Sequence, residues 1–267
     1  MNHTPSPPSV VVGVDGSDAA IHAALWAVDE ALSRDIPLRL LHVIDAASED
    51  IGLEVEFAEA ALRAVNAAVE ATGKPVRVDS AVIRGPVEAT LVDESRAAEM
   101  LCVGSVGVGQ FARRLLGSTA ASVARSAHCP VAVIFARDVA QRSGAAWIAV
   151  AVDESPDNDT VLGAAMTEAR LRAAPVLALL VERSGRGEKH YHQVDQRLAG
   201  WIRRYPDVRV RPVDTRHRIA QFLADSSEPV QLAVVGSADG DHITRFLGPV
   251  SHAVLDYADC SVLVVRH

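Results

Sequence analysis

The residues best suited to chemistry in this chain are glycines, hydroxyls and one acid. Gly104-Ser105-Val106-Gly107-Val108-Gly109-Gln110 follows a short apolar run, and Gly117-Ser118-Thr119 opens an alanine-rich stretch. Glycines permit tight turns and let a ligand approach the main chain closely. Exposed N–H groups at the start of a helix attract anions, and Ser118 and Thr119 add hydroxyls. Asp15 supplies a carboxylate at the end of another apolar run, Ser9–Val14. A cradle of donors facing an acceptor suits a ligand with phosphates at one end and amino or hydroxyl groups at the other. The spacing is not that of a P-loop: Gly-x4-Gly-Lys-Ser/Thr is absent and no lysine is near. Nor is it the dinucleotide fingerprint, which would follow the first strand. The residues alone leave a second reading open, in which the glycines serve turns and close helix–sheet packing and Asp15 caps or turns the chain before Ser17.

These groups need elements to hold them. Val10–Val14, Leu38–Val43, Val76–Ile83, Met100–Val103 and Val131–Phe135 read as strands, and their continuous apolar character suits buried parallel strands. Asp18–Ser33 carries Ile21, Ala24, Leu25, Val28 and Leu32 at helical spacing, with Ser17 placed to cap it. Leu53–Thr72, Pro86–Ala98 and Ser118–Ala127 also read as helices. Such alternation implies an α/β fold with a doubly wound parallel sheet. A five-stranded order 3-2-1-4-5 places the topological switch between strands 1 and 4. Asp15 and the glycine loop then share one crevice.

The pattern occurs twice. SVVVGVDGS from Ser9 matches WIAVAVDES from Trp147, so that Asp15 corresponds to Asp153 at an offset of 138. PLRLLHV from Pro37 and PVLALLV from Pro175 keep that offset, and Cys129 and Cys260 align at 131. Two homologous units explain this better than one large domain. We expect a flexible tail over residues 1–8, a first unit over 9–137, a linker over 138–145 and a second unit over 146–267. The second copy departs from the first where phosphate would lie. Asp239 replaces a glycine, Asp241 adds a charge, Pro249 stands in place of Ser118, and Ala151 in place of Gly13. It reads as a structural or regulatory copy whose anion cradle is incomplete, the alternative being a different ligand in its cleft.

Gly-x2-Gly-x9-Gly-Ser, formed by Gly104, Gly107, Gly117 and Ser118, resembles the nucleotide-binding signature of the universal stress protein family. So do the opening VVVGVDGS, the LLHVI strand and the closing CPVAVI. The resemblance spans nearly the whole chain as two tandem copies, a layout known in actinobacterial members. It implies a Rossmann-like fold that binds adenine nucleotide, ATP in particular, with Mg²⁺ accompanying the triphosphate. Carried onto this chain, Asp15 contacts adenine or ribose and Gly13 allows close approach. The Val43 main chain meets the adenine edge. Gly104, Ser105, Val106, Gly107, Val108, Gly109 and Gln110 wrap ribose and phosphates, and Gly117, Ser118 and Thr119 hold the phosphates. Plain core packing remains an equal reading for Val43, and a solvated surface pair the preferred one for Arg113 and Arg114. Members of the family commonly pair through the last strand. That implies pairing of Val131–Phe135 with Ser261–Val265 within the chain, and a homodimer.

Composition narrows the partners. The 267 residues are 49% apolar and 22% charged, ordinary for a folded soluble protein. A net charge of −8 argues against nonspecific binding to nucleic acid or an anionic membrane. Runs such as Val131–Phe135 and Pro175–Val181 fall short of the ~20 apolar residues that span a bilayer. No leader-like apolar segment opens the chain, so a cytoplasmic location is expected. Lys74 and Lys189 are the only lysines, and the three cysteines form no CxxC pattern and read as small buried residues. His190 and His192 are a close pair with little metal-site character. Without a nearby lysine, an arranged general base or a carboxylate cluster, a nucleotide-binding regulator with a protein partner is favoured. A slow ATPase or nucleotidyl-transfer enzyme and a ligand-free scaffold are the alternatives.

Overall fold

A computed structural model describes residues 8–105, 117–135, 146–181, 188–215, 219–237 and 260–266. The chain divides into two compact units, Met1–Ala136 and Arg137–His267. In the first, β1 (Val10–Gly13), β2 (Leu38–Ile44), β3 (Val78–Arg84), β4 (Met100–Gly104) and β5 (Val131–Ile134) form a parallel sheet in the order β3-β2-β1-β4-β5. Between them run α1 (Asp18–Arg34), α2 (Ile51–Glu70), α3 (Val87–Glu94) and α4 (Ser118–Ser126). This is the doubly wound α/β fold expected from the alternating pattern.

The helix α1 shows why the sequence folds this way. The Ser17 side chain accepts from the Ala20 N–H at 3.2 Å, Asp18 lies in the first turn, and Arg34 lies in the last, so both ends complement the helix dipole. Asp35 closes it in the left-handed region at φ 53°. The fully buried face is made of alanines (Ala19, Ala20, Ala23, Ala24, Ala27 and Ala31) with Val28, while Ile21, Leu25 and Leu32 are only half-buried. Small side chains bring the helix close to the sheet. A Cβ on Gly104 would stand 2.7 Å from the Ala19 carbonyl carbon and 2.8 Å from its Cβ. Gly104 therefore has a packing requirement that needs no ligand.

Two local expectations are corrected. Pro86–Ala98 is not one helix: α3 ends at Glu94, where the Ser95 hydroxyl bonds the Val92 carbonyl and accepts from the His128 N–H at 2.8 Å. That competing hydrogen bonding draws the chain out of the helical path. And β3 is not continuously buried. It lies at the sheet edge with β2 as its neighbour, and Asp79, Ser80, Val82 and Arg84 are exposed.

The second unit repeats the order. β6 (Trp147–Val152), β7 (Val176–Val181), β8 (Val210–Thr215), β9 (Val230–Gly236) and β10 (Ser261–Val265) run parallel as β8-β7-β6-β9-β10. Its described helices are α5 (Asn158–Leu171), α6 (Glu188–Arg204) and α7 (Ile219–Asp225). One detail repeats at the offset of 138. Glu30 in α1 and Glu168 in α5 are 0% and 2% exposed, and each carries an arginine partner at i+4, Arg34 and Arg172.

Candidate functional site

The site of the first unit opens where β1 stops short. Its pairing with β2 ends at Gly13↔Leu41 and with β4 at Val12↔Cys102, while β2 runs on to Ile44 and β4 to Gly104. A crevice at the carboxyl ends of the strands is the consequence, at the point where the winding reverses. It holds a cavity of ≈ 440 Å³, within the range of small-molecule sites. Of the residues expected there, the structure brings Gly13, Asp15, Val43, Gly104, Gly117, Ser118 and Thr119 together around it. Ser105 is buried behind the wall, where its N–H bonds the Ile134 carbonyl and its carbonyl accepts from Gly117. Val106, Gly107, Val108, Gly109 and Gln110 lie outside the described residues, as do Arg113, Arg114, Asp239, Asp241 and Pro249.

Asp15 plays a turn role as well as facing the cavity. Its Oδ1 accepts from the Ser17 N–H at 3.0 Å and from the Ser17 hydroxyl at 2.6 Å. This Asx turn passes through Gly16 at φ +84°, a region glycine adopts without penalty. Val43 borders the cavity from β2, beyond the last residue that β1 pairs.

The start of α4 borders the same cavity. Its N-cap is Gly117, in extended conformation and without a side-chain cap. The first intrahelical bond is from Ala121 to the Gly117 carbonyl at 3.0 Å. Among the described residues nothing accepts from the N–H groups of Ser118, Thr119 and Ala120, and all three residues line the cavity. Orphan donors at a helix start, with the positive end of the dipole behind them, form an anion site.

Among the lining residues that were not foreseen, four carry polar or aromatic side chains: His42, Asp45, Glu54 and Phe57. His42 is 5% exposed on β2, and burial holds its pKa below the usual histidine value against the attraction of Asp15 and Glu54. Its ring meets the Phe57 ring edge-on, centroids 5.9 Å apart at 72°. A histidine inside the apolar run LRLLHVI was the available signal for the first. Glu54 and Phe57 needed the placement of α2. The described lining residues include three carboxylates and neither lysine nor arginine.

The second unit builds the same turn and uses it differently. Asp153 Oδ1 accepts from the Ser155 N–H at 2.8 Å and from its hydroxyl at 2.7 Å. Here Arg197 of α6 donates to the carbonyls of Asp153 and Ser155, the latter at 3.0 Å. Buried Asn158 ties the strand end, donating to the Ala151 carbonyl at 2.9 Å. The turn is thus clamped by protein groups.

Doubly wound sheet, switch-point crevice and uncapped helix start together define an α/β protein with a candidate small-ligand site at the switch point. The universal stress protein family matches residues 8–134 and 145–266, and the chain belongs to that family as two tandem domains. It is 47% identical to the universal stress protein Rv2624c of Mycobacterium tuberculosis over 269 residues, covering 98% of this chain and 97% of that protein. It is 42% identical to Rv2028c of the same organism, covering 99% and 98%. A universal stress protein of Archaeoglobus fulgidus shares the fold, with a TM-score of 0.70 at 20% identity over 97% of this chain and 96% of that one. Among the described residues no helix is long and apolar enough to cross a membrane.

Proposed function

We propose that the first unit binds one ATP in this cavity and that the chain acts as a nucleotide-dependent regulator in stress response or growth control. The observation that carries this reading is the open start of α4: Ser118, Thr119 and Ala120, whose N–H groups have no acceptor among the described residues, line a cavity that Asp15 also borders. Phosphate satisfies donors at a helix start, and a carboxylate accepts from ribose hydroxyls or an amino group. Gly117, Ser118 and Thr119 take the phosphates, Asp15 and the Val43 main chain the nucleoside, and Gly13 keeps the floor low between them. The 106–110 segment is expected to close over the ribose. Mg²⁺ would ride on the triphosphate and water, because no group of three or more His, Cys, Asp or Glu side chains among the described residues is arranged to hold a metal.

The absence of lysine and arginine from the described lining favours binding over phosphoryl chemistry. The regulatory reading brings with it a protein partner and a homodimer in a cytoplasmic setting. Isothermal titration of the full chain with ATP tests the site, with one ATP per chain expected. Two equivalent sites would overturn the assignment to the first unit, and no heat with unchanged thermal stability would overturn the nucleotide reading. ADP release over many turnovers would make the chain an ATPase instead.

A further inference from the structure

The two units end their sheets differently. In the first, the outer strand β3 has β2 on one side and, among the described residues, no strand on the other. The Leu38 N–H donates to the Arg77 carbonyl at 2.8 Å and the Gly85 N–H to the Ile44 carbonyl at 3.0 Å, which fixes the phase of the ladder. Along a parallel strand, alternate residues turn both main-chain groups to the same neighbour. Arg77, Asp79, Ala81 and Ile83 therefore serve β2, and Val78, Ser80, Val82 and Arg84 point their N–H and C=O groups outward. Val82 is also 39% exposed, a β-branched apolar side chain on an open edge. The Arg84 guanidinium turns back to donate to the Ala46 carbonyl at 3.2 Å. In the second unit the outer strand is β8, and the Val176 N–H donates to the Arg209 carbonyl at 2.8 Å. The same phase turns Val210, Pro212 and Asp214 outward. Pro212 is the third residue of β8 as Ser80 is of β3, and its ring removes the central outward donor. Proline facing outward on an edge strand blocks the addition of another strand, and β3 has no such block.

We propose that the β3 edge pairs with β3 of a second copy of this chain, antiparallel and centred on Ala81, so that one sheet continues across a two-fold axis. This rests on the homodimer of the reading above and gives it a surface, and it does not depend on a bound nucleotide. Centring on Ala81 sets Val78 opposite Arg84 of the partner subunit and Ser80 opposite Val82 of the partner subunit. Every outward N–H and C=O of β3 then finds a partner. Moving the centre to Val82 would set Val78 opposite Pro86 of the partner subunit, which has no N–H. Asp79 falls opposite the partner's Ile83, so no like charges meet across the strands. Helix α2 adds charge complementarity. Asn66 donates to the Ser80 hydroxyl at 3.0 Å, so this side of α2 faces the β3 edge. Arg63 and Glu70, three and four residues from Asn66, share that side and are exposed. An axis at Ala81 runs the two α2 helices antiparallel, with Arg63 toward Glu70 of the partner subunit and Glu70 toward Arg63 of the partner subunit. Within its own helix Arg63 has an exposed pair with Glu59 at 3.4 Å, a weak tie.

Sedimentation of the full chain over a range of micromolar concentrations tests the pairing, and a dimer is expected. Ser80→Pro copies the second unit's own block, and Val82→Lys charges the edge without touching the ladder to β2. Each should weaken the dimer at least about tenfold with the parent's circular dichroism spectrum, and Val82→Lys serves if Ser80→Pro fails to fold. Arg63→Glu should weaken the dimer as well, and adding Glu70→Arg to it should restore the dimer, which general damage would not allow. Ala81→Cys sets two thiols opposite each other at a non-hydrogen-bonded pair, where strands come within disulfide reach. It should give a covalent dimer on oxidation, whereas Val82→Cys, which does not meet itself, should not. A chain that sediments as a monomer throughout would overturn both the pairing and the homodimer. A dimer that survives Ser80→Pro and Val82→Lys unchanged would overturn the β3 edge and leave the homodimer to another surface.

Discussion

Gly117 gives the sharpest perturbation of the anion end. It sits at the N-cap of α4 with φ −63° and ψ 148°, a region open to every L-residue, so a side chain there imposes no backbone strain. Aspartate is a favoured N-cap residue, and its carboxylate accepts from the second or third N–H of the helix, those of Thr119 and Ala120. Gly117→Asp should therefore leave the ligand-free helix as stable as before, or slightly more so. It would also place an intramolecular anion on the donors that phosphate needs. Losing two hydrogen bonds to a charged group costs about 1.5–3 kcal/mol each. Two such losses, even at the low end near 3 kcal/mol, weaken ATP by more than about a hundredfold. Repulsion between the carboxylate and phosphate adds to that figure, with an upper bound of about 4 kcal/mol at 4 Å and an effective dielectric near 20. Gly117→Asn separates the two effects, because it caps the same N–H groups without charge: it should lose roughly a hundredfold, and the aspartate variant more. Titration calorimetry with ATP and thermal melting without it are the assays. An aspartate variant within about threefold of the parent, under ~0.7 kcal/mol, refutes the placement of the phosphates. A ligand-free melting temperature that collapses would instead make Gly117 a structural glycine.

Three further outcomes follow from the geometry. Gly104→Ala drives a methyl against the Ala19 main chain, 2.7 Å away, and main chain cannot step aside. A loss of about 1–3 kcal/mol is expected, read as a lower melting temperature with and without ATP, and an unchanged melt would contradict the packing role. His42 has its folded pKa lowered by burial, so the unfolded chain binds more protons near the usual value of ~6.5. Ligand-free stability should fall as pH drops through that value toward 5, and His42→Leu should flatten that part of the profile; a rise on acidification would reverse the sign of the argument. Arg197→Ala removes donors to two carbonyls of the second unit and should cost about 1.5–3 kcal/mol without changing the one-ATP stoichiometry, whereas an unaffected melt would show the clamp to be idle.

The fold was legible because its signals are local. Strand–helix alternation, Ser17 as a cap and the offset of 138 need no knowledge of what packs where, and strand order follows from the rules for wound sheets. The site was legible only where it lies at strand ends. Asp15, Val43 and Gly117–Thr119 meet in one crevice because the topology leaves them no other place. His42 and Phe57 escaped because side-chain contact between β2 and α2 depends on how α2 lies on the sheet, which periodicity does not encode. Gly104 was read as part of a ligand cradle, and the structure supplies a packing reason for the same missing Cβ. In a sequence those two causes look alike, since both select against a side chain at one position.

The two copies show what duplication kept and what it released. The Asx turn at Asp15–Ser17 returns at Asp153–Ser155 with both hydrogen bonds within about 0.2 Å of the first copy's. The buried glutamate with its arginine at i+4 returns as well, as Glu168 and Arg172. These features act in folding: one sets the exit from the first strand, the other anchors the helix that covers it. What differs is the chemistry around the turn. In the first copy α2 offers Phe57 and Glu54 to an open cavity, and in the second α6 sends Arg197 onto the main-chain carbonyls. A cationic clamp on the turn does for the second copy what a ligand would do for the first, because it satisfies acceptors at the strand end. The turn of the second copy is thus satisfied without a ligand, which fits the proposed reading of one nucleotide held by the first copy.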